Sequence, residues 1–154
     1  MLKAGDRAPS FSLPDDTGSM VSLADFRGRT VVLYFYPKDD TPTCTTQACE
    51  FRDHWTAVQQ AGAVVLGVSP DPPGKHARFR RKHRLPFALL ADVDHEVAEA
   101  YGAWGPKQLF GYHYDGILRT TFVIGGDGTI RQVFEKVKAR GHATEVLEAV
   151  TSGN

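Results

Sequence analysis

The sequence predicts an α/β protein built on a mixed central β-sheet with helices on both faces. Three features predict it. Residues 30–36 (TVVLYFY) and 63–69 (AVVLGVS) are almost continuous in apolar, β-branched and aromatic residues, the pattern of strands buried on both faces. The stretch between them reads as a helix, which makes a strand–helix–strand unit and favours parallel pairing through a right-handed crossover. Near the far end, Gly125-Gly126-Asp127-Gly128 separates two short apolar runs, a hairpin signal that adds antiparallel strands.

Taken in order, the strand at 30–36 leads into a helix over 47–61, whose Phe51, Trp55 and Val58 fall on one face. The strand at 63–69 follows, then a helix over 73–83, a short strand at 87–91 and a further helix over 95–101. Strands at 120–124 and 130–134 flank the glycine turn. A closing helix over 143–150 carries Val146, Leu147 and Val150 on one side. The 154 residues suffice for one domain with a substantial core, and residues 1–154 are expected to form a single domain. No repeat, low-complexity segment or linker interrupts them.

The composition is ordinary for a soluble globular chain, 42% hydrophobic and 23% charged. Eighteen basic residues balance eighteen acidic ones, so global charge argues for neither a nucleic acid nor a membrane partner. No apolar run approaches the roughly 20 residues of a membrane helix, and the first residues lack the apolar core of a signal peptide. A cytoplasmic location is the expectation.

Both cysteines lie in one short stretch, "PKDDTPTCTTQAC" (37–49), directly after the first buried strand. In α/β sheets, sites gather at the carboxyl ends of parallel strands. Three readings compete for the pair: a structural disulfide, half of a metal site, or redox chemistry using the thiols in turn. A reducing cytosol and a core of this size both argue against a permanent disulfide. Cys44, Cys49 and His54 offer three ligands where zinc takes four, and His76, His83, His95, His113 and His142 are scattered singly. The C-x-x-C of dithiol oxidoreductases is absent. Thr41-Pro42 resembles a helix start, Thr as N-cap and Pro at the first helical position. Cys44 would then sit in the first turn, where free N–H groups and the helix dipole favour a nucleophilic thiolate. On one continuous helix, Cys44 and Cys49 would stand roughly 9 Å apart at Cα and point to different sides, too far for a disulfide, which needs less than about 7 Å.

Pro37-x-x-x-Thr41-x-x-Cys44 resembles the peroxidatic-cysteine signature of the peroxiredoxins, and "YPKDDTPTCTTQACEFRD" is similar to the peroxiredoxin Q, or bacterioferritin comigratory protein, group. The likeness extends to "GDRAPSFSLPDDTG", "YGAWG", "GILRTTFVIGGDG" and "VKARGHATEVLEAV", nearly the whole chain. It implies a thioredoxin-like fold and a thiol-dependent peroxidase of the atypical two-cysteine kind, with an antioxidant role. Cys44 would attack hydrogen peroxide or an organic hydroperoxide and become a sulfenic acid. Thr41 would hydrogen-bond the peroxide, Pro37 would shape the loop and shield the thiolate, and Arg119 would pair with it. Cys49 would resolve the sulfenic acid to a Cys44–Cys49 disulfide, which thioredoxin or a glutaredoxin-type reductant would recycle. No cofactor or metal is required, and a monomer is the expected state. Thr43 stands where the group often has glycine, and Ala88 interrupts its usual "LPFPLL".

The same two thiols would also serve a disulfide reductase, a sulfur-transfer protein or a redox-sensing binding protein. The basic run at 75–84 (KHARFRRKHR) reads as the solvated face of a helix with Phe79 as its core anchor, or else as a docking patch for nucleic acid or an acidic reductant. Trp104, Phe110 and Tyr112 are candidates for an apolar collar or for ordinary core.

Overall fold

The computed structural model describes residues 2–152. In chain order the elements are β1 (Ser12–Pro14), β2 (Met20–Ser22), a 3-10 turn at Leu23–Phe26, β3 (Thr30–Phe35), α1 (Pro42–Asp53), α2 (Trp55–Gln60), β4 (Ala63–Ser69), α3 (Pro73–His83), β5 (Ala88–Ala91), α4 (Glu96–Ala100), β6 (Trp104–Leu109), β7 (Tyr112–Ile117), β8 (Thr120–Ile124), β9 (Ile130–Glu135) and α5 (His142–Ser152). The central sheet has five strands in the order β5-β4-β3-β8-β9. β3, β4 and β5 run parallel, and β8 and β9 add antiparallel to the other side of β3.

Alternation along β3 divides the interior into two layers. Val32 and Tyr34, with Tyr36 just beyond the strand, face a cluster containing Phe51, Val58, Phe79, Val146 and Val150, so α1, α2, α3 and α5 cover this side. Val31, Leu33 and Phe35 face a second cluster with Phe11, Ala98, Tyr101 and Ile117, so α4 and the N-terminal segment cover the other. Every residue of β3 is buried, which is why its sequence shows no polar alternation. Gly67 of β4 lies against the Tyr34 ring. A Cβ there would come within 2.9 Å of the phenol, so only glycine lets the two strands carry this aromatic layer.

The helix expected over 47–61 is two helices. The chain breaks at His54, whose ring Nδ1 lies 2.8 Å from the Glu50 carbonyl oxygen. The side chain thereby competes for an acceptor that the helix ladder also uses, and this bends helices. Two small two-stranded sheets, β1–β2 and β6–β7, lie outside the expected elements.

His142 is fully buried at the start of α5, its Nε2 2.8 Å from the Thr121 hydroxyl and its Nδ1 3.1 Å from a Glu145 carboxylate oxygen. Burial holds its imidazole below the ordinary value, against the pull of Glu145. Such a base binds its proton more weakly folded than unfolded. Its contribution is therefore whole above about pH 6.5 and declines as the pH falls below that. The thermal unfolding midpoint should drop on acidification from about pH 7.5 to 5, and His142→Gln should flatten part of that drop. Identical slopes in the two proteins would assign the acid sensitivity to other groups.

Candidate active site

β3 ends at Phe35 and the chain turns through residues 37–41 into α1. Asp40 takes a left-handed conformation, φ 61°, and redirects the backbone into Thr41, the extended residue before the helix. Pro42 opens the helix, as its fixed φ and missing N–H suit. Thr41 occupies the cap position but does not cap. Its hydroxyl donates instead to the Lys38 carbonyl oxygen, 3.0 Å away. The first ladder bond runs from Thr45 N to Thr41 O. The N–H groups of Thr43 and Cys44 therefore have neither a helical acceptor nor a side-chain cap, and present positive dipole ends at the first turn.

The Cys44 side chain points inward and is only 1% exposed. Arg119, just before β8, reaches it past the end of β3. Nη2 donates to Cys44 Sγ at 3.0 Å and Nη1 donates to Gln47 Oε1 at 3.1 Å. The guanidinium fork is thus divided between the sulfur and an amide one turn further along α1. The backbone at residue 119 is itself tied down, Val137 N donating to its carbonyl at 3.2 Å. Gln47 is buried, and its Nε2 finds no hydrogen-bond partner. Reversing the amide would set that nitrogen against the guanidinium, so Arg119 dictates the orientation. Lys107 brings a second cation to this corner while donating to the Ile117 carbonyl. Burial and the Arg119 charge hold its ammonium below the ordinary value, and the Cys44 sulfur opposes them.

The fold brings Cys44 and Arg119 into contact and places Thr41 one turn before Cys44. Pro37 lies half-buried in the same loop. Cys49 is on the same helix, half-buried, and both thiols are free. Burial pushes the Cys49 thiol up from its ordinary value, with Arg52 partly opposing. Gln47 and Lys107 are the site residues that sequence reading passes over. Gln47 had a signal, lying three residues from Cys44 and so on the same helix face. Lys107 had none, since the strand that carries it, WGPKQL, shows no strand pattern in the sequence.

Beside Arg119 lies a hollow of about 380 Å³ between Leu118, Thr120 and Val137, and across Val137 a second of about 460 Å³ against Pro42, Thr43 and Thr46. Of the three expected aromatics only Trp104 packs against the core, and they form no collar. Phe110 is 92% exposed at the β6–β7 turn, Tyr112 is exposed beside it, and Trp104 is half-buried, stacked on His95 at 3.8 Å. The basic run is α3. Phe79 anchors it in the core, and five of its cationic or imidazole groups meet acidic side chains: Lys75 with Asp71, His76 with Asp39, Arg80 with Asp16, and Lys82 and His83 with Asp40. Among the described residues, no helix is long and apolar enough to cross a membrane.

The AhpC/TSA family pattern matches residues 4–133. The chain is 51% identical to peroxiredoxin Bcp of Escherichia coli over 146 residues, 95% of this chain and 94% of the relative. Peroxiredoxin Q of Xanthomonas campestris superposes with a TM-score of 0.90 at 35% identity, over 94% of this chain and 92% of that one. A bacterioferritin comigratory protein from Xanthomonas campestris, described for its alkyl peroxide reduction activity in trapped intermediate and ligand complexes, superposes with a TM-score of 0.89 at 35% identity over 93% and 91%. These solved relatives have the thioredoxin fold described above. A free thiol at a helix start under an arginine fork therefore sits in a chain that belongs to the AhpC/TSA family, as a peroxiredoxin of the Bcp or Q type: a peroxidase and thus an oxidoreductase.

Proposed function

We propose that the whole chain acts as one thioredoxin-like domain that reduces hydrogen peroxide and organic hydroperoxides through Cys44, with Cys49 as the resolving thiol. The contact between Arg119 Nη2 and Cys44 Sγ carries this reading. A guanidinium N–H donating to the sulfur at 3.0 Å holds it in place and lines the same fork up with an incoming oxygen. The alkyl peroxide activity named for the Xanthomonas campestris relative supports organic hydroperoxides as substrates.

In the first step the Cys44 thiolate attacks the terminal peroxide oxygen. The S–O bond forms, the O–O bond breaks, and the leaving alkoxide or hydroxide takes a proton, which leaves Cys44 as a sulfenic acid. Thr41 spends its own hydrogen on the Lys38 carbonyl, so its oxygen is free to accept the peroxide hydrogen. The uncapped N–H groups of Thr43 and Cys44 and the Arg119 fork face the charge that develops. Pro37 fixes the loop that closes over the sulfur. In the second step Cys49 attacks the Cys44 sulfur, the S–O bond breaks and water departs. An external dithiol of the thioredoxin or glutaredoxin type then reduces the disulfide. A reducing cytoplasm suits this cycle, and we take it as the setting, with the protein acting as a monomer.

The second step requires the helix to open. On intact α1 the two Cα atoms stand roughly 9 Å apart, beyond the reach of a disulfide. Opening also brings Cys49 out of the environment that raises its pKa. The opening has a natural end at residue 50, because the Glu50 carboxylate accepts from Gly141 N, Phe51 is buried against Tyr34, and Arg52 donates to the His83 carbonyl. Hydrogen exchange on reduced and oxidised protein tests this. Amides across residues 42–50 should exchange faster once the disulfide has formed, while those of β3 and β4 stay protected. A Cys44–Cys49 disulfide with unchanged protection over 42–50 would overturn the opening mechanism.

A further inference from the structure

The loop preceding the site buries a carboxylate. Asp39 is 2% exposed, yet it sits mid-loop between an exposed Lys38 and an exposed Asp40. Its Oδ1 accepts from the Tyr36 hydroxyl at 2.6 Å, and its Oδ2 lies 2.6 Å from His76 Nδ1. The other ring nitrogen of His76 lies 3.0 Å from the Leu90 carbonyl oxygen. A carbonyl only accepts, so Nε2 carries a hydrogen. Tyr36 keeps its own proton, because burial and neighbouring charge push its hydroxyl far above the ordinary value. At 2.6 Å a hydrogen lies between Oδ2 and Nδ1, so every polar atom of the two side chains has a partner.

The backbone is held at the same point. Asp39 N donates to Asp71 Oδ2 at 2.6 Å. The next residue, Asp40, has the left-handed φ that a side chain resists, and Lys82 and His83 draw its carboxylate toward α3. Apart from Tyr36, each of these side-chain partners lies on α3 or just before it. Much of the basic run is thus spent on the loop that leads to Cys44.

We infer that Asp39 and His76 are positioning residues of the peroxidase site: the buried Tyr36–Asp39–His76 latch fixes the loop at 37–41, and through it the Thr41 oxygen and the first turn bearing Cys44. The inference rests on the reading of Cys44 as the peroxide-reactive thiol. Stability alone is a poor reason for a buried ionisable pair, since well-packed apolar residues serve as well or better. Directional bonds do what apolar packing does not, which is to specify one loop geometry. The latch contains no residue of 42–50, so it stays closed while α1 opens and gives the helix a fixed start on which to re-form.

Asp39→Ala cuts both side-chain bonds. Asp39→Asn can remake both, its Oδ1 accepting from Tyr36 and its Nδ2–H donating to the Nδ1 of a neutral His76. Two half-reactions are measured in single turnover on each protein, oxidation of Cys44 by hydrogen peroxide and reduction of the disulfide by dithiothreitol. Asp39→Ala should slow the first by about tenfold or more, the scale of a misplaced reacting group, and leave the second unchanged. Asp39→Asn should fall closer to wild type than to the Ala variant. A wild-type peroxide rate in folded Asp39→Ala, an Asn variant as slow as Ala, or equal slowing of both half-reactions would each overturn the latch. Should Asp39→Ala fail to fold, Tyr36→Phe decides. It removes one oxygen and should show the same split, and an unchanged peroxide rate there would count against the inference. Cys44→Ser run alongside separates the two readings, since activity surviving in that variant overturns the role of Cys44 itself.

Discussion

Cys44→Ser should lose peroxide reduction outright, with hydrogen peroxide and with an organic hydroperoxide alike. The serine hydroxyl fills almost the same space beside Arg119, so the fold and the fork remain. What disappears is the nucleophile, because a serine hydroxyl, unlike a thiol, is not ionised near neutral pH. Cys49→Ser should behave differently. Its first oxidation remains, so a Cys44 sulfenic acid can be trapped with dimedone, while thioredoxin-coupled turnover falls unless an external thiol takes over resolution. A peroxide consumption assay coupled to thioredoxin and its reductase reads both. Continuous turnover in the wild type also excludes a redox sensor, which would oxidise once and stop. Full activity in Cys44→Ser would sink the mechanism.

The next largest effect is expected at Arg119. Arg119→Lys keeps a positive charge, but one ammonium on a flexible stem cannot hold both Cys44 Sγ and Gln47 Oε1 as the two arms of the guanidinium do. The second-order rate constant with hydrogen peroxide should fall on the order of 10²-fold, the usual consequence of removing a preorganised donor. The loss belongs to the chemical step, so stopped-flow oxidation should show it without any reductant present. Near wild-type kinetics would leave Arg119 a structural residue that happens to touch the sulfur.

Much of this architecture can be read directly from the chain. The nearly continuous apolar runs at β3 and β4 read as buried strands and are buried strands, and α3 runs over the residues its sequence suggests, because Phe79 faces the core amid charges that do not. The elements that escape reading are those whose stability is not local. β1 and β2 have three residues each, one of them Pro14. β6 (WGPKQL) and β7 (YHYDGI) carry glycine, proline and charge with exposed side chains, so neither alternation nor propensity marks them. The break at His54 depends on one ring reaching one carbonyl, which no periodicity records. At the site, the run from Pro37 to Cys49 is local and legible. Arg119 and Gln47 meet only because β8 lies beside β3, and Asp39 looks like an ordinary loop acid until His76 arrives from α3.

The first half of α1 buries only small or polar side chains, Cys44, Gln47 and Ala48, before Phe51 anchors the second half. Little apolar contact is lost when residues 42–50 let go, and Thr45 and Thr46 add only middling helix propensity. This weakness sets a race. A sulfenic acid that waits in a rigid helix stays exposed to a second peroxide, which would carry it to the sulfinic acid and end its reversible life. On the proposed cycle, a helix that yields easily would hand the sulfur to Cys49 first. The fragile seam would then act as protection against self-inactivation, and strengthening it would trade durability under peroxide stress for thermal stability.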